Sequence, residues 1–171
     1  MKIYETKVEA GTKQWLKIPV DEECSLKAAA FCGSRPGKRL IVTAGVHGCE
    51  YIGILAVSRL IQELDPRQMK GEVVFLPIAN EGGFYKEIKQ LVPEDGVNLN
   101  RAFPGTEMGS RSAKIAAAVE TYLYPDADFL VDLHSGDIHE MVVPFAFFPV
   151  AAGETVEKKA AAAARAMSLS W

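Results

Sequence analysis

Arg39-Leu-Ile-Val-Thr-Ala44 is a short, nearly continuous apolar run followed by a glycine, Gly45. Such a run reads as a strand buried on both faces of a sheet. Gly45-Val-His-Gly-Cys-Glu50 follows it. From about Tyr51 to Leu64, Ile52, Leu55, Ala56, Arg59, Leu60 and Glu63 then recur at intervals of three and four, most of them apolar. That spacing predicts a helix with one face on a core, ended by Asp65-Pro66. Glu72 to Ile78 reads as a second buried strand, and Asp128 to Leu133 as a third.

Between the second and third strands, residues 84–106 are rich in Pro, Gly, Asn and Asp. They read as an irregular loop with one short helix near Phe84 to Lys89. A loop of that length in a compact domain is more often functional than decorative. Ser110 or Ser112 caps a helix running to Leu123. The alanine-rich Glu154 to Met167 predicts a last helix. On the N-terminal side, residues 2–8 and 15–20 alternate apolar and polar, as half-buried strands do, with Gly11 as a turn between them. Leu26 to Cys32 reads as a further strand, and Ser34-Arg-Pro-Gly-Lys38 as a turn. Alternating strands and helices are the grammar of an α/β sheet covered on both faces, whose ligands bind at the carboxyl ends of the strands. His47 and His134 both fall just past strand ends.

The composition narrows the function. The chain has 171 residues, about half of them hydrophobic, and a net charge of −3. The basic residues form no stripe, so there is no electrostatic reason to expect nucleic acid or an anionic membrane. No apolar stretch reaches the roughly 18 residues of a membrane span, and the polar N-terminus has no signal-peptide core. Three cysteines without CxxC spacing, Cys24, Cys32 and Cys49, fit reduced thiols in a cytoplasm. The sequence is silent on oligomeric state.

His47 and Glu50, three apart at a strand-to-helix turn, put an imidazole nitrogen and a carboxylate oxygen on one side of the first helical turn. Zinc accepts both donors. A third ligand from another strand end leaves a position for water, the arrangement of a catalytic site. His134 is the best third ligand and His139 the competitor. Asn100-Arg101 is the second feature. The planar fork of arginine matches a carboxylate, and the neighbouring asparagine adds a donor. Asp132, two residues before His134, is either a partner to that ligand or a strand-end carboxylate satisfied by backbone.

Three segments in order carry a resemblance: Thr43-Ala-Gly-Val-His-Gly-Cys-Glu50, Asp95-Gly-Val-Asn-Leu-Asn-Arg-Ala-Phe-Pro-Gly105 and Asp132-Leu-His-Ser-Gly-Asp137. Together they resemble the succinylglutamate desuccinylase/aspartoacylase family, which is related to the zinc carboxypeptidases. The resemblance runs from about Lys38 to Pro149. It implies a three-layer α/β/α sandwich around a mixed sheet, with residues 1–171 forming the N-terminal portion of one catalytic domain. It implies one Zn²⁺ per chain on His47, Glu50 and His134, and Asn100 and Arg101 gripping the carboxylate of a small substrate. The chemistry implied is deacylation of a carboxylate-bearing N-acyl amino acid by a zinc-activated water. The alternatives are a zinc carboxypeptidase acting on peptides and a non-catalytic zinc- or ligand-binding domain.

The chain departs from the family pattern in three places. The general-base glutamate is expected beyond residue 171, and Glu154 and Glu157 do not match it. Lys89 stands near the place where an arginine often helps to hold the scissile carbonyl. Asn98 stands where an aspartate can support the first histidine ligand.

Overall fold

The computed structural model describes residues 1–167. These divide into two units, one from Met1 to Glu140 and one that begins at Met141.

The first unit is built on a five-stranded mixed sheet. Its strands are β3 (Thr12–Pro19), β4 (Ser25–Cys32), β5 (Arg35–Ala44), β6 (Lys70–Leu76) and β9 (Phe129–Leu133), in the spatial order β3-β4-β6-β5-β9. β3 pairs antiparallel with β4, and β4 with β6, whereas β5 runs parallel to both β6 and β9. Alternation along the strands sorts side chains to two faces. Ala28, Ala30, Ile41, Val74 and Leu76 join the core under helix α3 (Arg111–Tyr122), with its Ile115 and Val119. Ala29, Phe31, Val42 and Phe75 join the core under helix α1 (Tyr51–Glu63), with its Ile54, Val57 and Ile61. Helix, sheet and helix make the expected three layers. The chain leaves β5 through α1 to reach β6 on one side and returns through α3 to β9 on the other. The carboxyl ends of β5 and β9 therefore lie together where the chain order reverses, which is where open α/β sheets bind ligands.

Several elements differ from their expected form, each for a local reason. Residues 2–8 form a hairpin, β1 (Lys2–Ile3) with β2 (Thr6–Lys7), turning through Tyr4 at φ 50°. The hairpin buries Ile3 and Val8 together, at 3% and 1% exposure. The turn expected over Ser34 to Lys38 shrinks, because β5 already starts at Arg35. Pro36 and Gly37 instead sit in an irregularity of the β5–β6 pairing between Arg35 and Arg39, where those residues are tolerated.

The buried face of α1 is Gly53, Ile54, Val57 and Ile61, and the stripe containing Ile52 and Leu55 faces outward. Both stripes have helical spacing. The choice falls on the one holding Gly53, because a side chain there would come within 3.0 Å of the backbone of Leu133. The short helix expected near Phe84 to Lys89 lies earlier, as α2 (Glu81–Tyr85), because the Asn80 side chain caps it by accepting from the Gly83 N–H at 2.9 Å. β9 is apolar as expected but not buried on both faces. It is the edge strand, and Phe129, Leu130 and Asp132 are exposed.

The loop between α2 and α3 is more ordered than its composition suggests. β7 (Leu91–Val92) pairs with β8 (Val97–Asn98), and a 3₁₀ turn over Leu99–Arg101 follows. Asp95 accepts from both the N–H and the hydroxyl of Ser112, at 2.7 and 2.6 Å, and so anchors the loop to the start of α3.

The second unit contains α4 (Glu154–Ala166). Glu154 and Glu157 occupy its first turn and Arg165 its last, as the helix dipole favours, and none of its side chains is buried.

Candidate metal centre

The Gly45-to-Glu50 turn leaves β5 over the sheet end. Gly45 adopts φ +62°, and a side chain at Gly48 would meet the Gly83 carbonyl carbon at 2.3 Å. Glycine is needed at Gly45 for its positive φ and at Gly48 because the backbone of α2 packs directly on it. Two backbone hydrogen bonds, Ala79 N to Ala44 O and Asn80 N to Gly45 O, tie the end of β6 to the same place.

The turn and β9 bring His47, Glu50 and His134 into one cluster, with one candidate ligand atom from each lying within 4.8 Å of the others. Glu50 is the hub. Its Oε1 lies 2.8 Å from His47 Nδ1, and its Oε2 lies 2.8 Å from His134 Nδ1. Oε2 also accepts from the Ser135 N–H at 3.1 Å. The imidazole rings meet edge to face at 5.0 Å. His47 and Glu50 are buried, whereas His134 is open to solvent. Among the described residues no other group of His, Cys, Asp and Glu is arranged to hold a metal. His139 stands outside the cluster, exposed.

Each imidazole is supported from behind. His134 Nε2 lies 2.8 Å from Asp132 Oδ2, and Asp132 Oδ1 accepts from the Thr43 hydroxyl at 2.6 Å. Thr43 and Asp132 are register partners on β5 and β9. Asp132 is therefore a partner of the histidine, the first of its two sequence readings. His47 Nε2 lies 3.1 Å from Asn98 Oδ1.

Both rings thus face oxygen acceptors at both nitrogens, which favours the protonated form. The Asp132 hydrogen bond, followed by that of Glu50, pushes His134 up to about 10. The Glu50 hydrogen bond raises His47 as well. For Glu50 the largest single influence is burial, which raises its pKa. The hydrogen bonds of His134 and His47 together outweigh it and hold the carboxyl at about 2.

Asn100 and Arg101 are exposed on the 3₁₀ turn that Asn98 starts, next in the chain to the group that supports His47. Arg101 forms no ion pair among the described residues. Asn100 shares with Thr43, Asp132, Glu120 and Tyr124 the wall of a cavity of about 270 Å³. Within it, burial, and then the charges of Asp132 and Glu120, push the Tyr124 phenol up to about 12. Lys89 forms an ion pair with Asp137 at 3.0 Å. This ion pair ties Lys89 to the loop after His134. Cys49 is buried at 1% exposure beside the Tyr51 hydroxyl.

Residues 36–170 match the Succinylglutamate desuccinylase/Aspartoacylase catalytic domain. The chain belongs to this family. A curated relative, the N-alpha-acetyl-L-2,4-diaminobutyric acid deacetylase of Halomonas elongata, is 35% identical over 137 residues, which are 77% of this chain and 40% of that protein. An aspartoacylase family protein from Mesorhizobium loti is 35% identical with a TM-score of 0.63, over 72% of this chain and 40% of the other. The product-bound ectoine utilization protein EutE (DoeB) of Ruegeria pomeroyi is 29% identical with a TM-score of 0.63, over 73% and 40%. The match thus spans about two-fifths of the length of these relatives.

Proposed function

We propose that this chain carries the zinc-holding portion of a deacylase that hydrolyses the amide of a carboxylate-bearing N-acyl amino acid. The observation that carries the reading is the convergence of His47 Nδ1 and His134 Nδ1 on the two oxygens of one carboxylate. Two imidazoles and a carboxylate are the nitrogen and oxygen donors zinc accepts. Each far nitrogen is already backed by an oxygen acceptor, the arrangement that fixes the ring and tautomer of a metal-bound histidine. His47, Glu50 and His134 would hold the ion, one per chain. When bound, zinc supplies a Lewis acid for the acyl carbonyl and lowers the pKa of water.

The other roles belong to the protein. Arg101, helped by Asn100, takes the substrate carboxylate and orients the amide. Asp132 keeps the His134 ring in place. It is not assigned as the general base, because both its oxygens are engaged, one with Thr43 and one with His134. The same engagement of Asp132 favours, as a second reading, a domain that binds metal and carboxylate without turnover.

Elemental analysis of the purified protein tests the metal. The expected result is about one zinc per chain, lost in His134→Ala and Glu50→Ala. Wild-type protein that takes up no zinc on incubation would refute the reading. Assay against N-acetyl-2,4-diaminobutyrate, N-acetylaspartate and N-succinylglutamate, beside the Halomonas deacetylase, then separates turnover from binding alone. Preferential cleavage of peptides would point to a carboxypeptidase.

A further inference from the structure

One oxygen atom at the rear of the centre serves two N–H groups that belong to different tasks. Asn98 Oδ1 lies 3.1 Å from His47 Nε2 and accepts from the backbone N–H of Asn100 at 3.0 Å. The first contact orients a candidate metal ligand. The second caps the start of the 3₁₀ turn that presents Asn100 and Arg101.

Asn98 itself is well held, because its backbone pairs with Leu91 and the adjacent Leu99 is completely buried. An amide side chain has a single acceptor oxygen. Both donors must therefore aim at the same point, and a shift of either breaks the shared geometry. His134 has no such arrangement. Its support is the carboxylate of Asp132, whose other oxygen goes to Thr43 within the sheet and makes no bond to the Asn100–Arg101 turn.

We infer that Asn98 is a positioning residue that places the His47 ring and the Asn100–Arg101 turn from one atom, so that metal affinity and carboxylate recognition are coupled through it. This rests on the reading that the cluster holds zinc and that Arg101 takes a carboxylate. Acceptance by Oδ1 puts the proton of a neutral His47 on Nε2. The Nδ1 lone pair is then left on the side where the ligands converge. Acceptance of the Asn100 N–H by the same atom fixes the start of the turn that carries the guanidinium.

The test compares wild type, Asn98→Ala, Asn98→Asp and Asp132→Asn in three measurements. These are zinc affinity by chelator competition, succinate binding to zinc-saturated protein by calorimetry, and hydrogen exchange at the Asn100 amide. Asn98→Ala is expected to lose about 10–100-fold in zinc affinity, to weaken succinate binding about tenfold, and to speed exchange at Asn100. Asn98→Asp, which keeps an acceptor for both donors, is expected to restore zinc affinity and Asn100 protection, and it guards against a misfolded alanine variant. Asp132→Asn is expected to lower zinc affinity while leaving succinate binding and Asn100 exchange unchanged. An Asn98→Ala protein that loses zinc affinity but binds succinate as the wild type does would overturn the coupling, as would one unchanged in all three. Wild-type protein that binds no zinc would instead remove the functional reading on which the inference rests.

Discussion

Without metal, the Glu50 hub is an ion pair shared by two imidazoles, and the sign of its pH dependence follows from the shifted groups. His134 is raised from 6.5 to about 10. Its contribution to stability is complete below pH 6.5 and is lost as pH rises through about 10. Glu50 is lowered from 4.5 to about 2. Its contribution is complete above pH 4.5 and is lost as pH falls through about 2. Chelator-treated protein should therefore melt at a lower temperature at pH 10 than at pH 6, and Asp132→Asn should shrink that difference, because the Asp132 hydrogen bond is the largest cause of the raised His134. Zinc affinity should move the opposite way and increase with pH, because the protons on the two Nδ1 atoms must leave before the ion enters. An affinity independent of pH would contradict that placement of the ligand atoms.

Among the elements, the glycine turn between β5 and α1 carries the tightest constraint. Gly48→Ala would drive a methyl group into the Gly83–Phe84 backbone. The expected outcome is a loss of about 1–3 kcal/mol, the usual cost of overpacking, together with weaker zinc binding, since His47 and Glu50 flank the site. A denaturant melt and a zinc titration check it, and a fully stable variant would show that α2 yields easily.

The elements also show how far the sequence could be read. The buried run Arg39 to Ala44 and the helix after it were legible from apolar patterning, with Asp65-Pro66 marking the helix end, but the strand starts earlier than its apolar run, at Arg35. The clustering of His47, Glu50 and His134 was only partly legible: their positions past strand ends left His139 as a competitor, and the three-segment resemblance singled out His134. Three features were hidden. The inward face of α1 was masked by a second apolar stripe of equal spacing, and only Gly53 marks the correct one. The start of α2 depended on Asn80, a cap that composition does not set apart from the loop around it. The exposure of β9 followed from its place at the sheet edge, which depends on pairing between distant segments and leaves no mark in Phe129 to Leu133 themselves.

Over the whole molecule, zinc should act as a stabilising ligand. A ligand at 100 times its Kd adds about 2.7 kcal/mol. For a chain of this size, each kcal/mol raises the melting temperature by roughly 2–4 °C. An increase of about 5–10 °C is therefore expected by calorimetry. It should be absent in His134→Ala and intact in His139→Ala, whose imidazole lies outside the cluster.

The position of β9 has a further consequence. Among the described residues the strand that brings His134 pairs with one neighbour, β5, and stands at the edge of the sheet. An ion held between the β5 turn and His134 would fasten that border strand at its carboxyl end, as a clasp closes the free side of a fold of cloth. Peripheral strands fray more readily than central ones. Solvent deuterium should therefore enter the amides of Phe129 to Leu133 quickly in the empty protein and slowly in the loaded one, with β4 and β6 indifferent to the change. The border strand would then report occupancy of the centre without any substrate being present.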